Sequence, residues 1–370
     1  MLPVILVYKR TALELTLTQV GLIAGVYYFS VSLTQPLFGH LSDRWGERPF
    51  AAGALLWVSL LGASLGFTPS FGLLFIAVAL QALGPAIFHP PGASGAGRLP
   101  VGKRGFSMSF FLSGGSLGSA IGPLIAAAVF EVSGLRGTAW IGLFALFTAL
   151  ILGSLLWWSW PTRGVHREST RIQAGEVRLV NRVPRAMWLA GIALLTVTAV
   201  RTGIHMSLAT YVPQYLTELG YTPAQASRWL SVMLAGVMIG VLSGGPLSDR
   251  FGPQRVIFAA LGILGGVILL LVQGRLVSPA VLIPLAGIAV GIPLSMTIVI
   301  GQSFLKEGTG FASGLILGMS FVAGAAGVTL TGAAADRWGL TPALIFLGVL
   351  SLTASLAAFA LPKKIPERNR

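Results

Sequence analysis

Cysteine is absent from the 370 residues, which excludes disulfides, thiolate metal sites and cysteine nucleophiles and leaves the redox compartment open. Charge is scarce as well. Only 10% of residues are Asp, Glu, Lys or Arg, against roughly 25% in soluble domains. Acidic residues are the scarcest part of that set, 11 against 25 basic ones, and they leave a net charge of +14. No HExxH and no paired carboxylates occur, so neither a metal site nor an intramembrane enzyme is expected. What fills the chain is apolar: 54% of it is hydrophobic and the mean hydropathy is +0.82. A soluble protein so basic would suggest a nucleic-acid partner. Here the basic segments sit between apolar runs, so orientation in a bilayer accounts for them, and the expected surroundings are lipid, with no nucleic acid.

A bilayer core of about 30 Å needs roughly 20 apolar residues per helix. Eleven stretches qualify: 17–39, 50–67, 71–92, 106–130, 137–160, 186–215, 228–247, 256–273, 279–303, 311–334 and 342–361. Met1–Tyr8 is apolar but too short to span, and it lacks the basic start and small-residue site of a cleavable leader.

The chain is organised around a short charged turn between two apolar runs, Gly39-His40-Leu41-Ser42-Asp43-Arg44-Trp45-Gly46-Glu47-Arg48. Nearly the same string returns about 200 residues later as Gly245-Pro246-Leu247-Ser248-Asp249-Arg250-Phe251-Gly252-Pro253-Gln254-Arg255. Two copies of one unit follow, predicted as an N-terminal bundle over 1–160, a basic linker over 161–185, a C-terminal bundle over 186–361 and a tail over 362–370. Aligning Asp43 with Asp249 sets Met1 opposite Ser207. The first copy therefore lacks about 20 residues of its first helix. The expectation is a truncated helix one, with Met1–Tyr8 as its stump and a misplaced start codon as its cause.

Arginine and lysine alternate in density from loop to loop. One set of loops holds 18, including Arg44, Arg98, Arg163, Arg250, Lys306 and Lys363; the other holds 6, Lys9, Arg10, Arg136, Arg228, Arg275 and Arg337. The richer set, with the C-terminus, is expected in the cytoplasm.

In the repeated turn, Gly39 and Gly245 allow close packing at a helix end, and Gly46 and Gly252 relieve the turn. Asp43 or Asp249 can accept from a helix N-terminus or pair with an arginine, with Arg44, Arg48, Arg250 and Arg255 alongside. Such a contact can close one conformation and break in another. With these residues the chain resembles the major facilitator superfamily, although Pro253 and Gln254 stand where the second motif is usually basic. Phe88-His89-Pro90, the run Gly114–Leu124, Gln302 and the run Ser313–Gly318 resemble the fosmidomycin resistance family. The resemblance implies an all-α membrane protein with the major facilitator fold, two pseudo-symmetric six-helix bundles rocking about a cavity. It implies proton-coupled export of a drug or small anionic compound from the plasma membrane, by a monomer, with the proton gradient as energy source and no cofactor. A facilitator or an uptake symporter is the alternative. Gly118, Gly122 and Pro123 look like the superfamily's antiporter motif on helix five, with Ala126 in place of its closing glycine, or serve plain helix packing.

Ionisable residues inside a bilayer are functional candidates. Arg201 is the one basic residue deep in a span, and no Asp or Glu lies mid-span. An anion-binding role follows for Arg201, with a structural partnership as the bland alternative. Relatives carry an acidic residue in the first helix, in the part lacking here, so His89 and His205 are the remaining titratable candidates for coupling. Gln35, Gln81, Gln214 and Gln302, with Tyr27, Tyr28 and Tyr211, are lesser cavity candidates, each alone better suited to an interhelical hydrogen bond than to a ligand contact. Gly97–Arg104 comes close to a phosphate-binding loop but lacks its Ser or Thr and follows a membrane helix, so it reads as a basic loop. A channel is disfavoured by the two gating turns, which suit alternating access.

Overall fold

The computed structural model describes the backbone of residues 1–97, 104–159, 185–274, 278–304 and 309–362. Among these residues there is no strand. The helices are α1 (Leu2–Ala12), α2 (Leu17–Trp45), α3 (Glu47–Ser64), α4 (Phe71–Gln81), α5 (Leu83–Gly97), α6 (Arg104–Ser133), α7 (Gly137–Ser159), α8 (Arg185–Glu218), α9 (Pro223–Phe251), α10 (Pro253–Gln273), α11 (Pro279–Phe304), α12 (Thr309–Trp338) and α13 (Leu340–Leu356). Each of the eleven apolar stretches is helical. Eight segments among the described residues are long and apolar enough to cross a bilayer, one of them carrying the α6–α7 hairpin from Gly114 to Leu155.

Two details depart from expectation. The stretch 71–92 is divided by a turn at Ala82, and its second part runs through Pro90 and Pro91 to Gly97, past the expected end at 92. A proline costs a helix one ladder bond, and membrane helices tolerate this where packed neighbours satisfy the freed groups.

The chain forms two compact units that cut across the sequence halves. The first comprises Met1–Arg163, Ala209–Ser231 and Val328–Arg337; the second comprises Gly164–Leu208, Val232–Gly327 and Trp338–Arg370. In the first unit α3 packs against α5 and α7, and α2 against α4 and α5. The α3–α7 seam closes tightly: a methyl at Gly142 would strike Ala63, and Thr138 Oγ1 donates to the Ala63 carbonyl at 2.9 Å. In the second unit α10 packs against α11 and α13. Glycines line its other seams, Gly236, Gly240, Gly287 and Gly291 between α9 and α11, and Gly203 against Gly327 between α8 and α12. In lipid, where apolar burial gives little drive between helices, such backbone approach supplies the packing.

Candidate functional site

In the second unit α8 carries a buried polar face. Thr198, Arg201, Thr202 and His205 recur at three- and four-residue spacing, which aligns them on one side of the helix. Thr198 and Arg201 are each 4% exposed. Among the described residues the guanidinium makes one hydrogen bond, from Nη2 to Thr202 Oγ1 at 2.7 Å. Among the described residues Arg201 Nε, His205 Nδ1 and Thr198 Oγ1 have no partner. A guanidinium out of water with a single neutral acceptor is costly to hold, and the unused groups on this face can take up an oxyanion. The structure thus brings Arg201 and His205 together and adds two threonines that a search for charge alone passes over. Their signal in the sequence was the i, i+3, i+7 spacing around Arg201.

The other candidates lie elsewhere. Tyr28 and Gln35 sit seven residues apart on α2, both half-buried, and Tyr28 stacks edge-on with Tyr27 at 5.4 Å between ring centroids. His89 lies on α5 and is exposed. Gln302 lies within α11, but its side chain falls outside the described residues, as do the linker 161–184 and the loop 98–103. Among the described residues a methyl at Gly118 would meet nothing within 4 Å, and one at Gly122 only Met1 N at 3.8 Å.

The repeated turns have the geometry their glycines require, with φ of 95° at Gly46 and 84° at Gly252. A methyl at Gly39 would meet the Pro90 ring at 3.6 Å, while among the described residues one at Gly245 would meet nothing within 4 Å. Arg250 lies over the Phe251 ring, 5.2 Å from its centroid. Asp43 and Asp249 are exposed, and among the described residues neither forms a hydrogen bond or ion pair.

A carboxylate engages a helix N-terminus elsewhere in the first unit. The Leu17 and Thr18 N–H groups donate to Asp336 Oδ1 and Oδ2 at 2.8 and 2.7 Å. Asp336 lies beyond the apolar span, at the end of α12. Burial alone raises its carboxyl pKa, and the hydrogen bonds from Thr18, Leu17 and Thr16 together outweigh this and hold it below its ordinary value. Close by, the Tyr211 hydroxyl lies 3.0 Å from both the Leu17 and Val328 carbonyl oxygens and donates its proton between them. Arg10 pairs with Glu218 at 3.1 Å and donates to the Gln214 Oε1 at 3.5 Å. Arg228 pairs with Glu131 at 2.8 Å. Lys9 donates to the Gly66 and Thr68 carbonyls at 2.9 and 2.6 Å. Apart from those of Lys9, which stay within the first sequence half, these contacts join α1, α2 and α6 of the first half to the ends of α8, α9 and α12 of the second, all at the arginine-poor end. Asp336 had a signal in the sequence: Asp336-Arg337-Trp338-Gly339 repeats Asp43-Arg44-Trp45-Gly46, with Gly339 at φ 90°.

A family model of the Major Facilitator Superfamily matches residues 1–325 and 218–370. The chain is 27% identical to the fosmidomycin resistance protein of Escherichia coli (strain K12), over 95% of this chain and 86% of that one. It is 30% identical to the uncharacterized MFS-type transporter YfnC of Bacillus subtilis (strain 168), over 98% and 88%. Its fold is that of a bacterial homolog to the human lysosomal transporter Spinster, with a TM-score of 0.76 at 16% identity over 97% of this chain and 94% of the other. Helical throughout its described residues, with one charged turn repeated between α2 and α3 and between α9 and α10, and matched by this family along its length, the chain belongs to the Major Facilitator Superfamily and is a multi-pass secondary transporter rather than an enzyme.

Proposed function

We propose that this transporter exports a small anionic compound from the cytoplasm in exchange for protons, with Arg201 as the anion-binding group. The observation that carries the reading is the buried Arg201 guanidinium, whose one partner among the described residues is Thr202. A substrate oxyanion supplies the missing countercharge, and the Thr198 hydroxyl and His205 imidazole flank it on the same helix face. His205, one turn from Arg201, is the group that exchanges the proton; His89 is the second candidate. The proton gradient is the energy source, and no cofactor takes part. The arginine-rich loops and the C-terminus face the cytoplasm of a bacterial inner membrane, and the working unit is the monomer. The relation to a fosmidomycin resistance protein supports a phosphonate as the first substrate to try.

The test is transport of fosmidomycin by the purified protein in liposomes with an imposed proton gradient. A hydrogen bond to a charged group is worth about 1.5–3 kcal/mol, so Arg201→Gln is expected to weaken substrate affinity about 10- to 150-fold. Arg201→Lys is expected to recover part of it, having the charge without the planar fork. Unchanged affinity in Arg201→Gln rejects the assignment. Saturable flux that ignores the proton gradient selects a facilitator instead, a reading favoured by the absence of any mid-span Asp or Glu.

A further inference from the structure

We propose that Asp336 is the latch of the arginine-poor face: it holds the N-terminus of α2 while that face is closed and releases it when the face opens. The case begins with the amides of α2. A helix leaves its first four N–H groups without partners of its own ladder. Two are met within α2 by a capping box, the Thr16 N–H donating to Gln19 Oε1 at 3.0 Å and the Gln19 N–H to Thr16 Oγ1 at 3.1 Å. The remaining two, Leu17 and Thr18, are met by Asp336 alone. The cap is therefore complete only while α12 lies against α2. These helices belong to opposite sequence halves, and a transporter that works by alternating access must part the halves on one face in each cycle.

The chemistry suits a latch. A carboxylate at the first turn lies at the positive end of the helix dipole, and its hydrogen bonds keep it charged at neutral pH. It is solvent-accessible, so its amides pass to water rather than to vacuum on opening, and the contact can break in each cycle. The neighbouring ion pairs are weaker candidates. Arg228–Glu131 is exposed on both sides, 54% and 51%, and Arg10–Glu218 is half-exposed; such pairs contribute little. The backbone also aims the latch: Gly339, at φ 90°, ends α12 directly after Asp336-Arg337-Trp338 and starts α13. The same tetrad at the other end of α2 holds Asp43, which is exposed and has no partner among the described residues. One helix of 29 residues, about 43 Å at 1.5 Å per residue, thus has its N-terminus engaged by one such turn and bears a disengaged one at its C-terminus.

The absence of native cysteine makes the test direct. Spin labels on Ala12→Cys and Leu219→Cys, both exposed at this face, report its opening in the full chain reconstituted in lipid nanodiscs. Asp336→Ala is expected to shift the distance distribution toward the open population about 5- to 30-fold, and Asp336→Asn, which keeps one acceptor, by less. Gln19→Ala breaks the internal cap of the same helix without touching α12, and is expected to leave the distribution as it is. An unchanged distribution in Asp336→Ala overturns the proposal. So does an equal shift in Gln19→Ala, which would reduce Asp336 to ordinary helix capping. If Asp336→Ala does not fold, Asp336→Asn carries the same decision. Transport of any particular substrate is not the readout, so the result stands apart from the assignment of Arg201.

Discussion

The Tyr211 hydroxyl donates to the Leu17 carbonyl oxygen at 3.0 Å, on the same residue whose N–H donates to Asp336. Tyr211 is fully buried, and its hydroxyl reaches the Val328 carbonyl at the same distance. The phenol therefore ties α8 to α2 and α12 by an interhelical hydrogen bond. Tyr211→Phe removes the bridge with little change of shape. Both carbonyls keep their helical ladder bonds, so the expected cost is that of one net hydrogen bond, about 0.5–1.5 kcal/mol. Thermal unfolding of the purified variant checks this. A loss well above that range means that the hydroxyl orders more than these two carbonyls.

The crossing that Tyr211 bridges is paved with glycine. A methyl at Gly332 would strike the Tyr211 hydroxyl and the Leu17 carbonyl, and one at Gly21 the same hydroxyl and the Val328 carbonyl at 2.8 Å. Backbone cannot swing aside as a flexible side chain can, so Gly332→Ala must hold α12 off α2. Overpacking of this kind costs about 1–3 kcal/mol. The expected result is a face that stays open, read as faster thiol labelling of Ala12→Cys in Gly332→Ala than in the parent. Labelling at the parent rate, with normal transport, would show that the helices repack around the methyl.

Much of this architecture was legible from hydropathy and one repeat. Every apolar stretch of membrane length is a helix, because lipid offers an unsatisfied backbone no other partner. The turns at Gly46 and Gly252 were legible because only glycine sits easily at positive φ. The split of 71–92 at Ala82 was not, since it depends on how α4 and α5 pack on α2 and α3. Asp336 was missed for a different reason. Its tetrad stands on a hairpin outside the 206-residue repeat, and charge patterning assigns such a turn only to a side of the membrane. The amides that give it a role belong to residues more than 300 positions away.

Acidity tests the charge on the latch. Because the carboxyl of Asp336 is held below its ordinary value of 3.8, its contribution is present in full above that value and is lost as pH falls through the lower, bound one. Arg10 of α1, Tyr211 and Glu218 of α8, and Arg337 beside it are charged or titratable groups at this end, as are Tyr8, Lys9, Glu14, Glu131, Arg136 and Arg228. Between pH 8 and 5.5 closure through Asp336 is expected to be constant, and it weakens only in strong acid. The measurement is thiol labelling at this face across that range. A change near pH 6 that disappears in Asp336→Asn would show the carboxyl titrating in the wrong window and would sink the description of its hydrogen bonds.

Arg201 separates a functional charge from a structural one by the sign of a stability change. It is 4% exposed and, among the described residues, has one neutral partner and leaves Nε unpaired. A buried charge without a countercharge costs folding energy, and an apolar side chain of similar volume in its place is often stabilising by about 1–4 kcal/mol. Arg201→Met is therefore expected to raise the unfolding temperature by about 2 °C or more while abolishing anion transport. Added fosmidomycin should stabilise the parent and leave the variant unmoved, because ligand stabilises only the state that binds it. A structural arginine gives the opposite pattern, a fall in unfolding temperature with ligand stabilisation retained, and that outcome would remove Arg201 from the binding site.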